Sequence, residues 1–258
     1  MEFPLIQSLA VGGLVAICAS ILGAFAILKR MSLVGDALSH VALPGIAMAL
    51  LLNINPFLGA VVFLVIATIG IWYLEYHSKL PIDTIVGILF STSLAIGALI
   101  TPDTELLEVL FGNITSLSRE EAVFSMIISL SIVWLVLVIR KKLTLSLISE
   151  ELAHSAGVKI RKLEFLYLLF FSLAVALGIR FVGALLMGSL VVIPAASAKN
   201  IAKSLKGFLL LAAFFGVVSA ELGLLAAYRY NLQPGPIFIL AATAIFLLSL
   251  LFRTYKSR

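Results

Sequence analysis

The chain has 258 residues, 62% of them hydrophobic and only 12% charged, with a mean hydropathy of +1.19. A water-soluble domain of this length carries about twice that charged fraction, so the composition excludes one and leaves too little polar sequence for a folded extramembrane domain. The net charge of +5 invites comparison with nucleic-acid binders and the single cysteine, Cys18, with thiol chemistry; a lone thiol in an apolar run supports neither an intrachain disulfide nor a Cys-rich metal site.

Nine apolar stretches of spanning or near-spanning length run along the chain, at about 6–28, 35–52, 57–76, 82–101, 121–139, 164–180, 181–198, 207–228 and 237–252. They predict an all-α, polytopic transmembrane bundle of eight or nine spans, with residues 1–258 as one domain. The first stretch has no cleavage pattern and is too long for a signal-peptide core, so it reads as mature sequence. With the connection after it placed inside and the rest alternating, all but three of the 18 Lys and Arg fall on the inner side. The outer three are Arg119, Arg180 and Arg229. That asymmetry predicts the N-terminus outside and the C-terminus inside. Topology thus explains the basic character, and no nucleic-acid partner is expected. The stretches 164–180 and 181–198 are short and meet at Arg180, which fits a tight hairpin or broken re-entrant pieces. The 35–52 stretch can begin as early as Met31, which would set it deeper.

Residues 31–45 read Met-Ser-Leu-Val-Gly-Asp-Ala-Leu-Ser-His-Val-Ala-Leu-Pro-Gly. On a helix, Asp36 and His40 come to one face. A carboxylate oxygen with an imidazole nitrogen suits first-row divalent cations, and ionisable groups within a membrane segment point to function. Pro44-Gly45 is expected to interrupt the helix just past the pair, as in transporter helices broken at their ion sites. From spacing alone a second reading is equally open: Asp36 caps the helix and His40 bonds a backbone carbonyl of a neighbouring span. No Cys or Met cluster accompanies the pair, which disfavours Cu(I) and leaves zinc, manganese and iron. Two ligands are too few for a closed site, so a symmetric second copy or water must complete the shell. An ion held that loosely can leave again.

Two segments are polar enough to lie outside the bilayer. In 102–120, outside, Thr104 can cap a short helix with Glu105 in its first turn and Gly112 closing it. This reads as an interfacial helix, serving either as a docking surface or as a loop resting on the membrane. In 140–163, inside, Ser149 can cap a helix whose positive end suits Glu150 and Glu151. Leu152, Ala153 and Ala156 give it an apolar face and Gly157 a stop. A short helix at about 149–157 then projects below the membrane and wants a partner surface. Lying on the headgroups is the alternative, helped by Lys159, Arg161 and Lys162 and opposed by the paired glutamates.

Further candidates are single residues. Glu221 interrupts the 207–228 span and is costly there; it reads as a second ligand shell, a proton acceptor, or a protonated group bonded to a neighbour. His77 and His154 fall in inner loops and read as solvated. Arg180 sits at an outer helix end and can snorkel. Pro194 kinks its span near the pathway, or is a packing irregularity.

Arg30 to Gly45, with Gly35-Asp36-Ala37-Leu38-Ser39-His40 inside it, resembles the hallmark of the permease subunits of metal-ion ABC importers, the ZnuB/MntB-like family. Val182-Gly183-Ala184-Leu185-Leu186 through Ile193-Pro194-Ala195-Ala196-Ser197-Ala198 resembles its second signature. Glu151-Leu152-Ala153-His154-Ser155-Ala156-Gly157 sits where such permeases carry the helix that contacts the ATPase. Gly223 to Tyr228 followed by Pro234-Gly235-Pro236 resembles the family's last hairpin. The four motifs occur in order over nearly the whole chain. The resemblance implies a multi-pass subunit of a prokaryotic uptake system in the inner or plasma membrane. It implies a homodimer around a central path, two cytoplasmic ATPases beneath it, and an extracytoplasmic metal-binding protein that delivers the ion. Zinc or manganese, or else iron, would then be the cargo, with no permanently bound cofactor. Asp36 and His40 match the family's intramembrane ligands, and Glu150, Glu151, Leu152, Ala153 and Gly157 fall on the coupling segment. Glu221 departs from the pattern, where an apolar residue is expected, and is a candidate addition to the ion path.

Three functions compete on these residues. The first is a permease powered by a partner ATPase. The second is a self-sufficient cation channel or proton-coupled metal carrier, with Asp36, His40 and Glu221 as relay. The third is an intramembrane metalloenzyme, which lacks a His-Glu-x-x-His motif or an evident Ser/His/Asp set. No Gly-x-x-x-x-Gly-Lys-Ser/Thr pattern is present either, so energy from ATP must come through another polypeptide.

Overall fold

A chain immersed in lipid must satisfy every backbone N–H and C=O internally, which long apolar helices do. The structure is a computed structural model that describes residues 2–78, 80–100, Leu110, 118–230 and 232–256. Among the described residues the backbone forms ten α-helices and no strand. They are α1 (Glu2–Leu28), α2 (Val34–Leu51), α3 (Pro56–Ser78), α4 (Ile82–Ile100), α5 (Arg119–Ile148), α6 (Glu150–Ser155), α7 (Ile160–Val182), α8 (Met187–Ile201), α9 (Leu205–Tyr230) and α10 (Pro234–Lys256). Eight of them are long and apolar enough to cross a membrane, all but α6 and α8. The expected interfacial helix at 104–112 lies outside the described residues, Leu110 apart.

The seventh apolar stretch, 181–198, becomes α8, with 15 residues. Its length of ~22 Å is less than a hydrocarbon core of ~30 Å. Instead of meeting at Arg180, the two short stretches part further on: α7 continues to Val182, and the chain turns at Gly183, whose φ is +84°. After four residues Met187 folds back onto Gly178, where a side chain on the glycine would collide with the Met187 thioether. The two stretches are thus joined by a tight turn, and α8 is short of a full span.

Polar ties mark the two ends of the bundle. At one end Gln7 Nε2 donates to the Ser118 carbonyl at 3.3 Å, and Arg180 pairs with Glu121 at 2.9 Å. At the other, Lys29 Nζ pairs with Glu164 at 3.0 Å and Trp72 Nε1 donates to the Arg161 carbonyl at 3.2 Å. The starts of α1 and α5 therefore share an end with the close of α7, while α1 and α3 finish where α7 begins. This second end also carries Arg30, Lys159 and Lys162. Lys29 is part-buried there, its Nζ 5.6 Å from the centroid of the Tyr167 ring. The Tyr167 hydroxyl in turn donates to the Leu22 carbonyl at 3.0 Å.

Helices α1, α2 and α7 are mostly buried, and α3, α4, α5 and α10 present much of their apolar surface outward. Lipid gives helices little hydrophobic reason to associate, so close packing over small residues takes that role. The crossing of α2 and α3 is the tightest case. A Cβ on Gly45 would strike the Gly59 carbonyl and stand 2.8 Å from Phe63 Cβ; one on Gly59 would stand 2.7 Å from Ala49 Cβ.

This crossing corrects an expectation. Pro44-Gly45 does not break the helix: α2 runs unbroken from Val34 to Leu51 with Pro44 inside it. Likewise α8 runs through Pro194. Each proline forfeits a single N–H bond, and neighbouring helices hold the turn in place. Gly45 serves the α2–α3 contact instead. A second difference concerns α5, which continues nine residues past the expected end at 139 and carries Arg140, Lys141 and Lys142 in its last turns. Its start is fixed by a capping box in which Ser118 Oγ accepts from Glu121 N at 3.2 Å and Glu121 Oε2 accepts from Ser118 N at 3.1 Å.

Candidate metal site

The site begins with a sharp reversal. At the end of α1 the chain takes a left-handed turn at Arg30, with φ +60°, and Met31 N donates back to the Ala26 carbonyl at 2.8 Å. That closure stops α1 and lets α2 start at Val34. The reversal turns inward. Gly35 packs against Phe171 and Val191, and Phe171 lies eleven residues into the 23-residue α7. At 1.5 Å per residue this is roughly 16 Å along α7, about half its length. Asp36 therefore stands near the middle of the bundle, deeper than a span starting at the inner surface would place it.

Asp36 and His40 do share a face, with Asp36 Oδ1 4.0 Å from His40 Nε2. That is too long for a hydrogen bond and close to twice a metal–ligand bond of ~2.1 Å. The two groups differ in access. The Asp36 side chain is 48% exposed and that of His40 only 8%. The imidazole is fixed edge-on against Phe90, 5.0 Å between centroids. Its Nδ1 is buried and has no hydrogen-bond partner among the described residues. The capping reading finds no support in this geometry. Leu33 is the N-cap, without a side-chain cap bond, and Asp36 lies inside the first turn. Nor, among the described residues, does His40 Nδ1 reach a backbone carbonyl. Among the described residues no three His, Cys, Asp or Glu come together to hold a metal ion. Among the described residues the chain thus offers two candidate ligands here, one open and one enclosed.

A residue that the spacing analysis missed forms the wall of this site. The first turn of α8 lies directly on Asp36: a Cβ on Gly188 would stand 2.7 Å from Asp36 Cβ and 2.9 Å from Asp36 Oδ1. Only long-range packing reveals this, although the glycine sits within the second signature.

Glu221 is not brought to the pair. It sits on α9 against Gly13, where a Cβ would meet Glu221 Oε1 at 2.9 Å. Gly13 lies ten residues before Gly23, which packs on Val191 beside the site. Along α1 that is ~15 Å, so Glu221 belongs to the α1–α9 contact rather than to the surroundings of Asp36 and His40. His77 stacks on Tyr73, with ring centroids 4.0 Å apart, and His154 is exposed on α6.

The segment 149–157 folds as its caps suggest, with one correction. Ser149 Oγ accepts from Leu152 N at 3.2 Å, with Glu150 and Glu151 in the first turn. Gly157 takes φ +74° and Val158 N donates to the Ala153 carbonyl at 2.9 Å. Ala153, expected on the presented face, is fully buried within the chain. A six-residue helix needs one side anchored, and its smallest apolar side chain takes that side. The presented surface is Ile148 and Leu152, 73% and 56% exposed, with Glu150 and Glu151 beside them.

Comparison with known proteins gives a consistent set of relatives. The family described as the ABC 3 transport family matches residues 2–253. The chain is 34% identical over 256 residues to the manganese transport system membrane protein MntC of Listeria innocua, covering 98% of this chain and 90% of that protein. It is 30% identical over 251 residues to the high-affinity zinc uptake system membrane protein ZnuB of Haemophilus influenzae, covering 95% and 96%. Among solved structures, PsaBC from Streptococcus pneumoniae in complex with Fab superposes with a TM-score of 0.84 at 33% identity, covering 96% of this chain and 91% of that one.

Proposed function

The chain belongs to the ABC 3 transport family, a transport component of the bacterial plasma membrane rather than an enzyme, and on that premise we propose that it is the permease of an importer for a divalent transition-metal ion, with Asp36 and His40 as intramembrane ligands. The observation that carries the reading is the pair itself: an open carboxylate and an enclosed imidazole 4.0 Å apart, about halfway along α7. Manganese and zinc are named for the relatives, and the ligand types suit Fe²⁺ as well.

The arrangement suggests how an ion is passed. The exposed Asp36 carboxylate meets the cation first and sheds part of its hydration. His40 Nε2, held by Phe90, adds a second ligand without having to move. A second copy of the chain facing the first would supply two more ligands, which is the argument for a homodimer. Because no single chain closes the shell, the ion stays exchangeable.

Energy would enter at the lysine-rich end, which the charge asymmetry assigns to the cytoplasm. There the exposed Ile148 and Leu152 of α5 and α6 offer an apolar ridge to an ATPase groove, one ATPase per permease copy. The extracytoplasmic metal-binding protein would dock at the opposite end. The relatives give no support to a self-sufficient channel or proton-coupled carrier, and Glu221 stands apart from the pair such a relay would need.

The test is ATP-dependent uptake of Mn²⁺, Zn²⁺ and Fe²⁺ by the permease reconstituted with its ATPase in liposomes. Uptake of at least one metal only in the presence of both subunits and ATP is expected. Equal uptake by the permease alone without ATP would replace this reading with the carrier.

A further inference from the structure

We propose that Gly188 is a positioning residue for the transported metal: by lacking a side chain it lets the first turn of α8 close on Asp36 and fixes where that carboxylate stands relative to His40. The inference rests on Asp36 being a ligand. Three atoms carry it. A Cβ on Gly188 would lie 2.7 Å from Asp36 Cβ, 2.8 Å from its Cα and 2.9 Å from its Oδ1. These distances are about 1 Å short of ordinary contact. Two of the three atoms belong to the stem of Asp36 and cannot rotate away, so the carboxylate itself must be displaced. His40 cannot follow, because its ring is buried against Phe90. The neighbouring glycine shows that the constraint is local. A Cβ on Gly35 meets Phe171 and Val191 at 3.4 Å, an ordinary contact. The first turn of α8 thus acts as the fixed back wall of an otherwise open ligand.

The experiment uses the full permease in nanodiscs, titrated with Co²⁺ as the spectroscopic probe. Absorption bands report the geometry of the ligands, and gel filtration with thermal unfolding of the metal-free protein reports the fold. Gly188→Ala should weaken Co²⁺ binding about tenfold or more, the range typical of changes that misplace a ligand, and should alter the spectrum. Gly35→Ala should leave both at wild type. If Gly188→Ala keeps wild-type affinity and spectrum while Asp36→Ala loses Co²⁺, the positioning role is wrong and the ligand assignment stands. If Asp36→Ala itself keeps Co²⁺, the ligand assignment fails, which is a different result. Where Gly188→Ala does not assemble, Asp36→Glu with Gly188 kept decides. Its carboxylate stands one methylene farther from the α8 wall, so Co²⁺ affinity should fall about tenfold and the spectrum change if the position of the carboxylate matters. Wild-type affinity and spectrum in Asp36→Glu would overturn the positioning role.

Discussion

Replacing Gly45 by alanine tests whether the α2–α3 crossing, rather than a helix break, is what this glycine serves. The new Cβ would stand 2.8 Å from Phe63 Cβ and would strike the Gly59 carbonyl. That is about 1 Å inside ordinary contact, against atoms that have no rotamer to escape through. The two helices must part, and overpacking of this kind costs ~1–3 kcal/mol. A chain of this size loses ~2–4 °C of melting temperature per kcal/mol, so the midpoint should fall by roughly 2–12 °C. The assay is thermal unfolding of the detergent-solubilised permease. Gly70→Ala is the companion variant on α3, where a Cβ meets nothing within 4 Å. Alanine is the better helix former by ~0.5–1 kcal/mol, so Gly70→Ala should be neutral or stabilising. Because α2 also carries Asp36 and His40, Gly45→Ala should lower metal uptake as well. Equal midpoints for the two variants would refute the packing argument.

Four further outcomes are expected. Lys29→Met should lower stability by ~1–3 kcal/mol, between the values for exposed and buried pairs, because it strands Glu164 with Glu75 close by; an unchanged unfolding midpoint would argue against it. Leu152→Asp should release the ATPase in pull-down while Co²⁺ binding survives, whereas Ala153→Asp should destabilise the permease itself, since only Leu152 is presented. Gly157→Val should resemble Leu152→Asp, because the left-handed turn at φ +74° costs a β-branched residue ~1–2 kcal/mol; retention of full metal-driven ATP turnover by both variants would remove the coupling role. The purified permease alone should hydrolyse no ATP, and hydrolysis free of contaminants would contradict the assignment.

Most of the architecture is legible in the residues because lipid leaves the backbone little choice. Every apolar stretch became a helix, and the family resemblance read from four ordered motifs agrees with the relatives found. The i, i+4 spacing brought Asp36 and His40 to one face, and Ser149 and Gly157 marked the ends of α6. Other features needed three dimensions. Hydropathy stops near 139, but Arg140, Lys141 and Lys142 are good helix formers, so α5 continues where the pattern ends. Pro44 suggested a break, yet one missing hydrogen bond is a small loss in a helix held by α3. Nothing in the order Leu152-Ala153 tells which side of a short helix is anchored. Gly188 and the Lys29–Glu164 pair, 135 positions apart, are products of long-range packing. The depth of Asp36 depends on the turn at Arg30, where a non-glycine residue takes positive φ, and no local signal announces that.

The central claim is that Asp36 and His40 carry the metal through the membrane. Its most direct test is ATP-dependent uptake of radioactive or fluorescence-reported Mn²⁺ and Zn²⁺ into liposomes holding the permease with its ATPase, comparing wild type with Asp36→Ala and His40→Ala. The account predicts that both variants lose uptake while still binding the ATPase: Asp36→Ala at wild-type stability, because its carboxylate is half-exposed, and His40→Ala with a lowered unfolding midpoint, because its ring is buried against Phe90. Wild-type uptake by both variants would place the ion path elsewhere.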